Sequence, residues 1–398
     1  MSKDLIVEIN DDSFVFIVGE YDESLNFKIL SKLKKKASGI QDGKVIDLEK
    51  SYTIIKKSLD DLEEELSFVF KNVNLIINFN DYECINVTGF KRLNGDQLLK
   101  DDIFFILNNL KRQISENENN KSILHLFNTR YSLDDNEYAN LPIGLSGNFY
   151  NHQISFLLSK NKHLENIRLL MNKCNLVINR INIKNFLEGI NIINKEKEET
   201  FFKIYIGKSK SYILSFYKSS LCFYQNFNFG SDIVKSDISK VCTLKLSTVE
   251  NFFSVLHFMK KDNFDQEYLD KKFFIDDKFR KVSLELIRDV SKARIEEIVS
   301  IIFSKNINLE NIKADINKIF LFFCDRNLNK DIEKLFEDCL IKSNQELKLK
   351  TNNLTQNDDF QECIVSAELN KKGWTKEALP VIQSEKSFIS RIFSRFFE

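Results

Sequence analysis

Residues Leu5–Leu30, LIVEINDDSFVFIVGEYDESLNFKIL, and Phe201–Phe227, FFKIYIGKSKSYILSFYKSSLCFYQNF, share one layout. Each reads as three strands joined by short polar turns. In the first block the strands are Leu5–Ile9, Phe14–Val18 and Phe27–Leu30; in the second they are Phe201–Ile206, Tyr212–Phe216 and Leu221–Phe227. Aromatic and β-branched runs bounded by Asn, Asp, Ser and Gly favour strands and turns. A strand, turn, strand, turn, strand unit that occurs twice points to an internally duplicated fold. Helical and strand patterns alternate around the two blocks, which predicts an α/β class. Asp47–Val69 and Val282–Phe303 read as long helices, and Asp331–Leu340 as a shorter one. In Asp102–Ile114 the apolar residues Ile103, Ile106, Leu107, Leu110 and Ile114 form a helical stripe. Leu75–Phe79, Ile123–Phe127 and Ile319–Phe323 read as strands, Lys32–Lys36 as a basic helix-like run, and Ser38–Gly43, Ser115–Lys121 and Gln345–Asp359 as loops. Asn370–Ser387, with Gly373 and Pro380, reads as a linker.

Composition narrows the function classes. The 398 residues hold 58 Lys plus Arg against 58 Asp plus Glu, so no overall positive field is tuned to nucleic acid. An apolar share of 43% is enough to bury real cores, which argues against a disordered chain. The seven cysteines are scattered without a C-x-x-C pair, the pattern of reduced core thiols and not of zinc or disulfides. The start, MSKDLIVEINDDSF, carries acids where a secretory signal needs a basic region, and no uncharged stretch of about 18 residues marks a spanning helix. A cytosolic chain is the expectation. His125, His152, His163 and His257 do not cluster, and Gly144–Gly147, GLSG, is not the G-x-S-x-G of a hydrolase.

The end of the chain is distinctive. On a helical wheel of about 100° per residue, Phe388, Ile389, Ile392, Phe393, Phe396 and Phe397 fall in one half, and Ser387, Ser390, Arg391, Ser394, Arg395 and Glu398 in the other. Arginines beside an apolar face, after a linker, make the pattern of an interfacial helix more than of one docked on a core. Phe388, Ile389, Arg391, Ile392, Phe393, Arg395, Phe396 and Phe397 are therefore the expected membrane-binding residues. Burying a large apolar side chain gives roughly 1.5 to 3 kcal/mol, while ordering the helix costs about 1 kcal/mol or more per residue. One copy should bind lipid reversibly, and firm attachment requires many linked copies.

Several colinear blocks, taken with this tail, resemble the FtsA family of actin-like bacterial division proteins. The opening LIVEINDDSFVFIVGE sits where that family has its first strand, phosphate turn and second strand. ASGIQDGKVIDLEK is similar to its S-x-G-x-x-x-G-x-V-x-D loop. ILHLFNTRYSLDD with LPIGLSG, the most specific block, resembles v-l-H-x-x-p-x-x-Y-x-x-D and N-P-x-G-x-x-G. GSDIVKSDIS, IRDVSKARIEEIV and IFLFFCDRNLNKDIEKLF resemble the segment after the second phosphate region, the E-x-R-x-x-E/D helix and the adenosine strand. The resemblance implies an α/β, actin-like fold of ribonuclease H-like duplicated halves. It implies a first half of residues 1–83, 164–198 and 341–371, an inserted subdomain of 84–163, and a second half of 199–231 and 296–340. A partner-binding subdomain of 232–295, a linker of 372–386 and a C-terminal amphipathic helix of 387–398 complete it.

The departures from that family matter. Its nucleotide turns approximate E/D-I-G-T/S, D-I-G-G-G-T-x-D and G-G, because backbone N–H groups must approach phosphates closely. Here they read Glu8-Ile9-Asn10-Asp11-Asp12, Tyr205-Ile206-Gly207-Lys208-Ser209-Lys210-Ser211-Tyr212 and Phe323-Cys324-Asp325-Arg326. Acids in the first turn repel phosphate, and Gly207, Lys208 and Ser209 are a degenerate remnant of the second. ATP and Mg²⁺, expected of the family, are not expected cofactors of this chain, although Lys208 and Lys210 are the residues that would attract phosphate if binding were retained. The resemblance further implies a non-enzymatic scaffold that tethers FtsZ filaments to the cytoplasmic face of the inner membrane at the division septum. It would self-associate through the insert and take the acidic FtsZ C-terminal peptide at Arg294, with Lys292 and Arg288 added from helical proximity. Later division proteins are further partners, and no nucleic acid or metal is expected. The alternatives are an actin-like pilus or secretion assembly protein, a residual actin-family ATPase, and a soluble module whose tail docks on its own core.

Overall fold

A computed structural model describes residues 3–253, 267–323, 330–343, 348–353 and 360–380. The amphipathic tail and the turn at Cys324 to Arg326 lie outside these residues. The chain divides into two units, Met1–Glu199 with Phe216–Phe223 and Asn357–Glu398, and Thr200–Ser215 with Tyr224–Gln356.

In chain order the first unit holds β1 (Asp4–Ile9), β2 (Ser13–Tyr21), β3 (Phe27–Lys36), β4 (Ile40–Gln41), β5 (Lys44–Val45), α1 (Leu48–Leu66), β6 (Asn72–Ile77) and β7 (Tyr82–Arg92). There follow α2 (Lys100–Asn117), β8 (Lys121–Leu133), β9 (Asn136–Tyr138), β10 (Phe149–Lys160), α3 (Asn161–Lys173), β11 (Val177–Ile183) and α4 (Lys184–Glu196). The second unit holds β12 (Phe201–Ile206), the start of β13 (Ser211–Tyr217) as far as Ser215, the end of β14 (Ser220–Phe227) from Tyr224, α5 (Asp232–Val241), α6 (Leu246–Phe253), α7 (Leu284–Val299), α8 (Glu310–Lys313), β15 (Lys318–Phe323), α9 (Lys330–Ser343) and β16 (Lys348–Asn353). The chain then returns to the first unit with α10 (Gln361–Lys372) and β17 (Glu377–Pro380).

The expected duplication is present as two mixed five-stranded sheets, β11-β6-β1-β2-β3 and β14-β13-β12-β15-β16. In the first, β1 pairs antiparallel with β2 and parallel with β6, so its apolar run is buried on both faces. Helix α1 begins where the Asp47 side chain accepts from the Lys50 N–H at 3.1 Å, and buries Ile55, Leu59 and Leu62. The insert is a third sheet, ordered β17-β8-β10-β7, with β9 on β8. Its core sets Ile103, Ile106 and Leu110 of α2 against Leu126, Ile154 and Phe156 of the sheet.

Three expectations are corrected. Lys32–Lys36 is the end of β3, a strand at the edge of its sheet, where lysines are solvated on a ladder paired to β2. Residues 341–371 do not all belong to the first half: β16 pairs in parallel with β15, so 348–353 is the edge of the second unit's sheet. The sequence KLKTNN there hides a strand because an edge needs little apolar surface. The 372–386 linker is also too long, because Glu377–Pro380 forms β17 on β8. Among the described residues no helix is long and apolar enough to cross a membrane.

Candidate functional site

Parallel strands leave a crevice beyond their carboxyl ends, the usual ligand position in α/β sheets. In the first unit β1, β6 and β11 run parallel and end at Ile9, Ile77 and Ile183. The residues that follow are Asn10, Asn78 and Lys184, and they meet. Lys184 Nζ donates to Glu8 Oε1 at 2.5 Å and to Asn10 Oδ1 at 3.3 Å, and Asn78 Nδ2 donates to Asn10 Oδ1 at 3.2 Å. Glu8 is only 1% exposed, and its other oxygen faces the Cys363 thiol at 3.7 Å. Burial alone would lower the Lys184 pKa, but the carboxylates of Glu8, Glu362 and Glu188 outweigh it and hold it above the ordinary lysine value. Burial pushes Glu362 above the ordinary carboxylate value, and Lys184 opposes that rise.

Asp11, read from sequence as a phosphate-repelling residue, has a structural partner. Its Oδ1 accepts from the Gly43 N–H at 2.6 Å. Gly43 sits at φ +71°, and a Cβ there would come within 2.5 Å of the Asn78 carbonyl oxygen. The loop of the S-x-G-x-x-x-G-x-V-x-D block is thereby pressed onto the first turn, and only glycine fits the contact.

In the second unit the turn after β12 is closed by a Gly207 N–H to Lys210 O bond of 2.9 Å. Its carbonyls are turned towards α5: Ser231 N–H donates to Gly207 O and Asp232 N–H to Lys208 O, both at 2.9 Å. Gly230 permits this approach, since a Cβ there would lie 2.2 Å from Gly207 O. Of the N–H groups at the start of α5, a natural phosphate cradle, those of Ser231 and Asp232 are thus taken by the turn itself. The two tyrosines that replace the expected acids stack, Tyr205 on Tyr212 with ring centres 4.7 Å apart. Under them Lys203, 2% exposed, donates to Tyr212 Oη at 2.9 Å and lies 4.9 Å from the Phe322 ring centre. Gly207, Lys208 and Ser209 are therefore gathered in one turn, with the backbone of Gly207 and Lys208 committed to internal bonds.

The residues expected to take the peptide lie on α7. Arg294 on α7 is paired inside the unit, its Nε with Asp237 of α5 and its Nη1 with Glu297 Oε2 at 2.7 Å. It ties two helices together. Lys292 is exposed and Arg288 half-buried on the same helix, one turn apart and away from the Arg294 pair.

Two further features were not legible as sites. The YSLDD and LPIGLSG block is a loop clamp: the Asp134 carboxylate accepts from the N–H groups of Asn148 and Phe149 at 2.8 Å, and a Cβ on Gly147 would press on Leu133 at 2.6 Å. His152 is buried, with Nε2 2.9 Å from Asn128 Oδ1, and burial drives its pKa down to about 3. The second feature is the strand from which the C-terminal tail departs. The Glu377 carboxylate, 3% exposed, takes His125 Nδ1 at 2.6 Å and pairs with Arg180 Nη2. Because His125 Nε2 accepts from the Ile183 N–H, the imidazole proton sits on Nδ1 and is donated to Glu377. Trp374 Nε1 donates to Ser219 O at 2.8 Å, and Asn128 N–H to Lys376 O at 2.8 Å. A buried acid 252 residues from its histidine gives no local pattern by which sequence could have found it.

Among the described residues no group of three or more His, Cys, Asp or Glu is placed to hold a metal ion. No family model matches the chain. It is similar to the cell division protein FtsA of Buchnera aphidicola subsp. Acyrthosiphon pisum, 23% identical over 321 residues that cover 78% of this chain and 75% of that one. The FtsA of Buchnera aphidicola subsp. Schizaphis graminum is 22% identical over 245 residues, covering 61% of this chain, so the chain spans 58% of that relative's length. Escherichia coli K12 FtsA is 20% identical over 193 residues, 48% of this chain and 46% of the relative. Among solved structures, a PilM-PilN type IV pilus biogenesis complex matches with a TM-score of 0.52 and 10% identity, over 93% of this chain and 98% of that one. The fold is actin-like, as the duplicated sheets indicate.

Proposed function

We propose that this FtsA-like, actin-fold chain is a cell division scaffold that attaches FtsZ filaments to the cytoplasmic face of the membrane and works by self-association, without nucleotide turnover. The observation that carries the reading is similarity to FtsA along three-quarters of both chains, in a chain whose fold is actin-like. In this reading the arginine- and phenylalanine-rich tail inserts into the lipid interface, and polymerisation supplies the avidity a single weak helix lacks. The acidic FtsZ peptide is taken by the surface of α7 that carries the exposed Lys292 and the half-buried Arg288, and Arg294 holds that helix to α5 through its pair with Asp237.

The residues at the two turns do not fit a magnesium–nucleotide. Beside one turn an ammonium is already bonded to the acid and amide that a cation would need, and at the other the Ser231 and Asp232 N–H groups are spent on the turn's own carbonyls. No step of the scaffold reading is routed through ATP. A second reading, a pilus assembly protein, has the solved-structure match in its favour. A fluorescent fusion separates them: the scaffold forms a midcell ring that disperses when FtsZ is depleted, whereas a ring indifferent to FtsZ, or foci at pili, would refute it.

A further inference from the structure

An uncovered sheet edge offers a row of unpaired N–H and C=O groups to any strand that fits it. Several edges of this chain carry features that discourage such pairing. Strand β3 bears Lys28, Lys32, Lys34, Lys35 and Lys36, β16 reads KLKTNN, and β17 has only four residues and ends in Pro380. Strand β7 is different. It is the outer strand of β17-β8-β10-β7, pairs only with β10 among the described residues, and runs for 11 residues. Its middle, Cys84–Phe90 (CINVTGF), holds no charge and no proline, and Phe90 is 73% exposed. Its charges lie at the ends, Glu83 near the start and Lys91 and Arg92 at the finish. Ile85 and Val87 pack on the core that includes α2, and a Cβ on Gly89 would meet Ile106 of that helix. By the alternation of a strand, Glu83 and Lys91 lie on the helix side too, and Lys91 reaches Asp102 of α2 at 3.0 Å.

We propose that β7 is the contact edge for a second copy of this chain, paired antiparallel with its own counterpart about a two-fold axis at Val87, so that two insert sheets become one. A two-fold perpendicular to the sheet keeps both copies of α2 on one side, so residues of like face oppose each other. With the axis at Val87, Glu83 of each copy opposes Lys91 of the other, Cys84 opposes Phe90, and Tyr82 opposes Arg92. Moving the axis by one residue loses the ion pairs. At Asn86 it sets Glu83 against Gly89, and at Thr88 it sets Lys91 against Ile85. Both ions are held within their own copy, Glu83 by Lys121 at 2.6 Å and Lys91 by Asp102, yet their side chains remain 53% and 39% exposed. Pairing extends an alternating row of Lys121, Glu83, Lys91 and Asp102 across the axis and covers Phe90, and this self-complementarity selects a second copy over an unrelated strand. The pair also carries two C-terminal tails, a first step towards the avidity that one tail lacks. It deepens the self-association of the proposed scaffold and rests on that reading only for this use.

The test uses the full chain with Val87→Cys, alone and combined with Glu83→Lys, with Lys91→Glu, or with both. Opposed Cα atoms of an antiparallel pair lie about 4.5 or 5.5 Å apart, inside the range a disulfide spans. Mild oxidation of Val87→Cys should therefore give a covalent dimer in far higher yield than the unmodified chain with its seven native cysteines. Glu83→Lys and Lys91→Glu each turn two opposed pairs into like-charged ones and should weaken pairing about tenfold. Mixed together, these two variants oppose lysine to glutamate at both ends, so the mixture should recover the dimer, as should the chain carrying both changes. A merely damaged fold gives no recovery on mixing. Should Val87→Cys fail to fold, sedimentation velocity of the charge variants with Val87 intact must show the same loss and recovery. A folded Val87→Cys chain that forms no dimer leaves the edge to a strand of another protein and overturns the proposal, as does a dimer indifferent to both charge reversals. Loss of FtsZ attachment to vesicles with the dimer intact would remove the tether reading and leave the pair, whereas loss of the dimer with attachment intact would do the reverse.

Discussion

The strand from which the tail departs can be unlatched by one substitution. Glu377→Ala removes the carboxylate that both His125 and Arg180 face, leaving a buried guanidinium and an imidazole N–H without that acceptor. Breaking a buried pair by deleting one partner costs about 3–5 kcal/mol. Arg180 keeps Asn182 Oδ1 at 2.9 Å and the Leu369 carbonyl at 3.4 Å, which places the cost at about 3 kcal/mol, the lower end of that range. The assay is built in. Trp374 is the single tryptophan and bonds Ser219 three residues before Glu377, so its emission reports the detachment of β17. With a urea slope of roughly 1–3 kcal/mol per molar, the Trp374 transition should move down by about 1 M or more and precede the loss of far-ultraviolet circular dichroism. Burial alone would raise the Glu377 pKa, but Arg180 and His125 outweigh it and hold it below the ordinary glutamate value. A depressed folded pKa means that the carboxylate's contribution is complete above the unfolded glutamate value of about 4.3 and is lost as pH falls through the folded one. Glu377→Gln should therefore flatten the acid limb of the Trp374 transition. Superimposable Trp374 and dichroism transitions at the unmodified midpoint in Glu377→Ala would refute the latch.

Two other outcomes follow from the turns. Gly43→Ala places a Cβ against the Asn78 carbonyl at a positive φ, and chemical denaturation should show a loss of about 2 kcal/mol or more; an unchanged midpoint would mean that the loop can shift off the Asp11 turn at no cost. Calorimetric titration of the purified chain with Mg-ATP should give no saturable heat, and a low-micromolar affinity would sink the nucleotide-free reading.

Much of the architecture was legible because the residues concerned obey one local rule each. The apolar runs of β1, β2, β12 and β13 announce buried strands, and Asp47 before a helical stripe announces a capped helix. Sequence failed where a residue's environment is set from far away. Lys34 and Lys36 look helical beside other lysines until the β2 ladder fixes them as an edge. Tyr82–Arg92 has no clean alternation, because its environment is set by strand β10, which it pairs through Phe149 to Ser159. The polar β16 is a strand only because β15 pairs with it. Asp11 and Asp12 were readable as hostile to phosphate, but the Lys184 that pairs with the buried Glu8 before them lies 176 residues away and carries no motif. Arg294 was readable as a basic residue on a helix, while its pairing with Asp237 depends on how α5 and α7 pack.

The scaffold account is tested most directly by flotation with vesicles containing anionic lipid, using purified FtsZ and either the full chain or a chain lacking residues 387–398. The account predicts that FtsZ rises with the vesicles only when the full chain is present, in the absence of nucleotide for this chain, and stays at the bottom with the truncated one. Flotation of FtsZ by the truncated chain to the same extent, or flotation of the full chain that leaves the added FtsZ at the bottom, would contradict it.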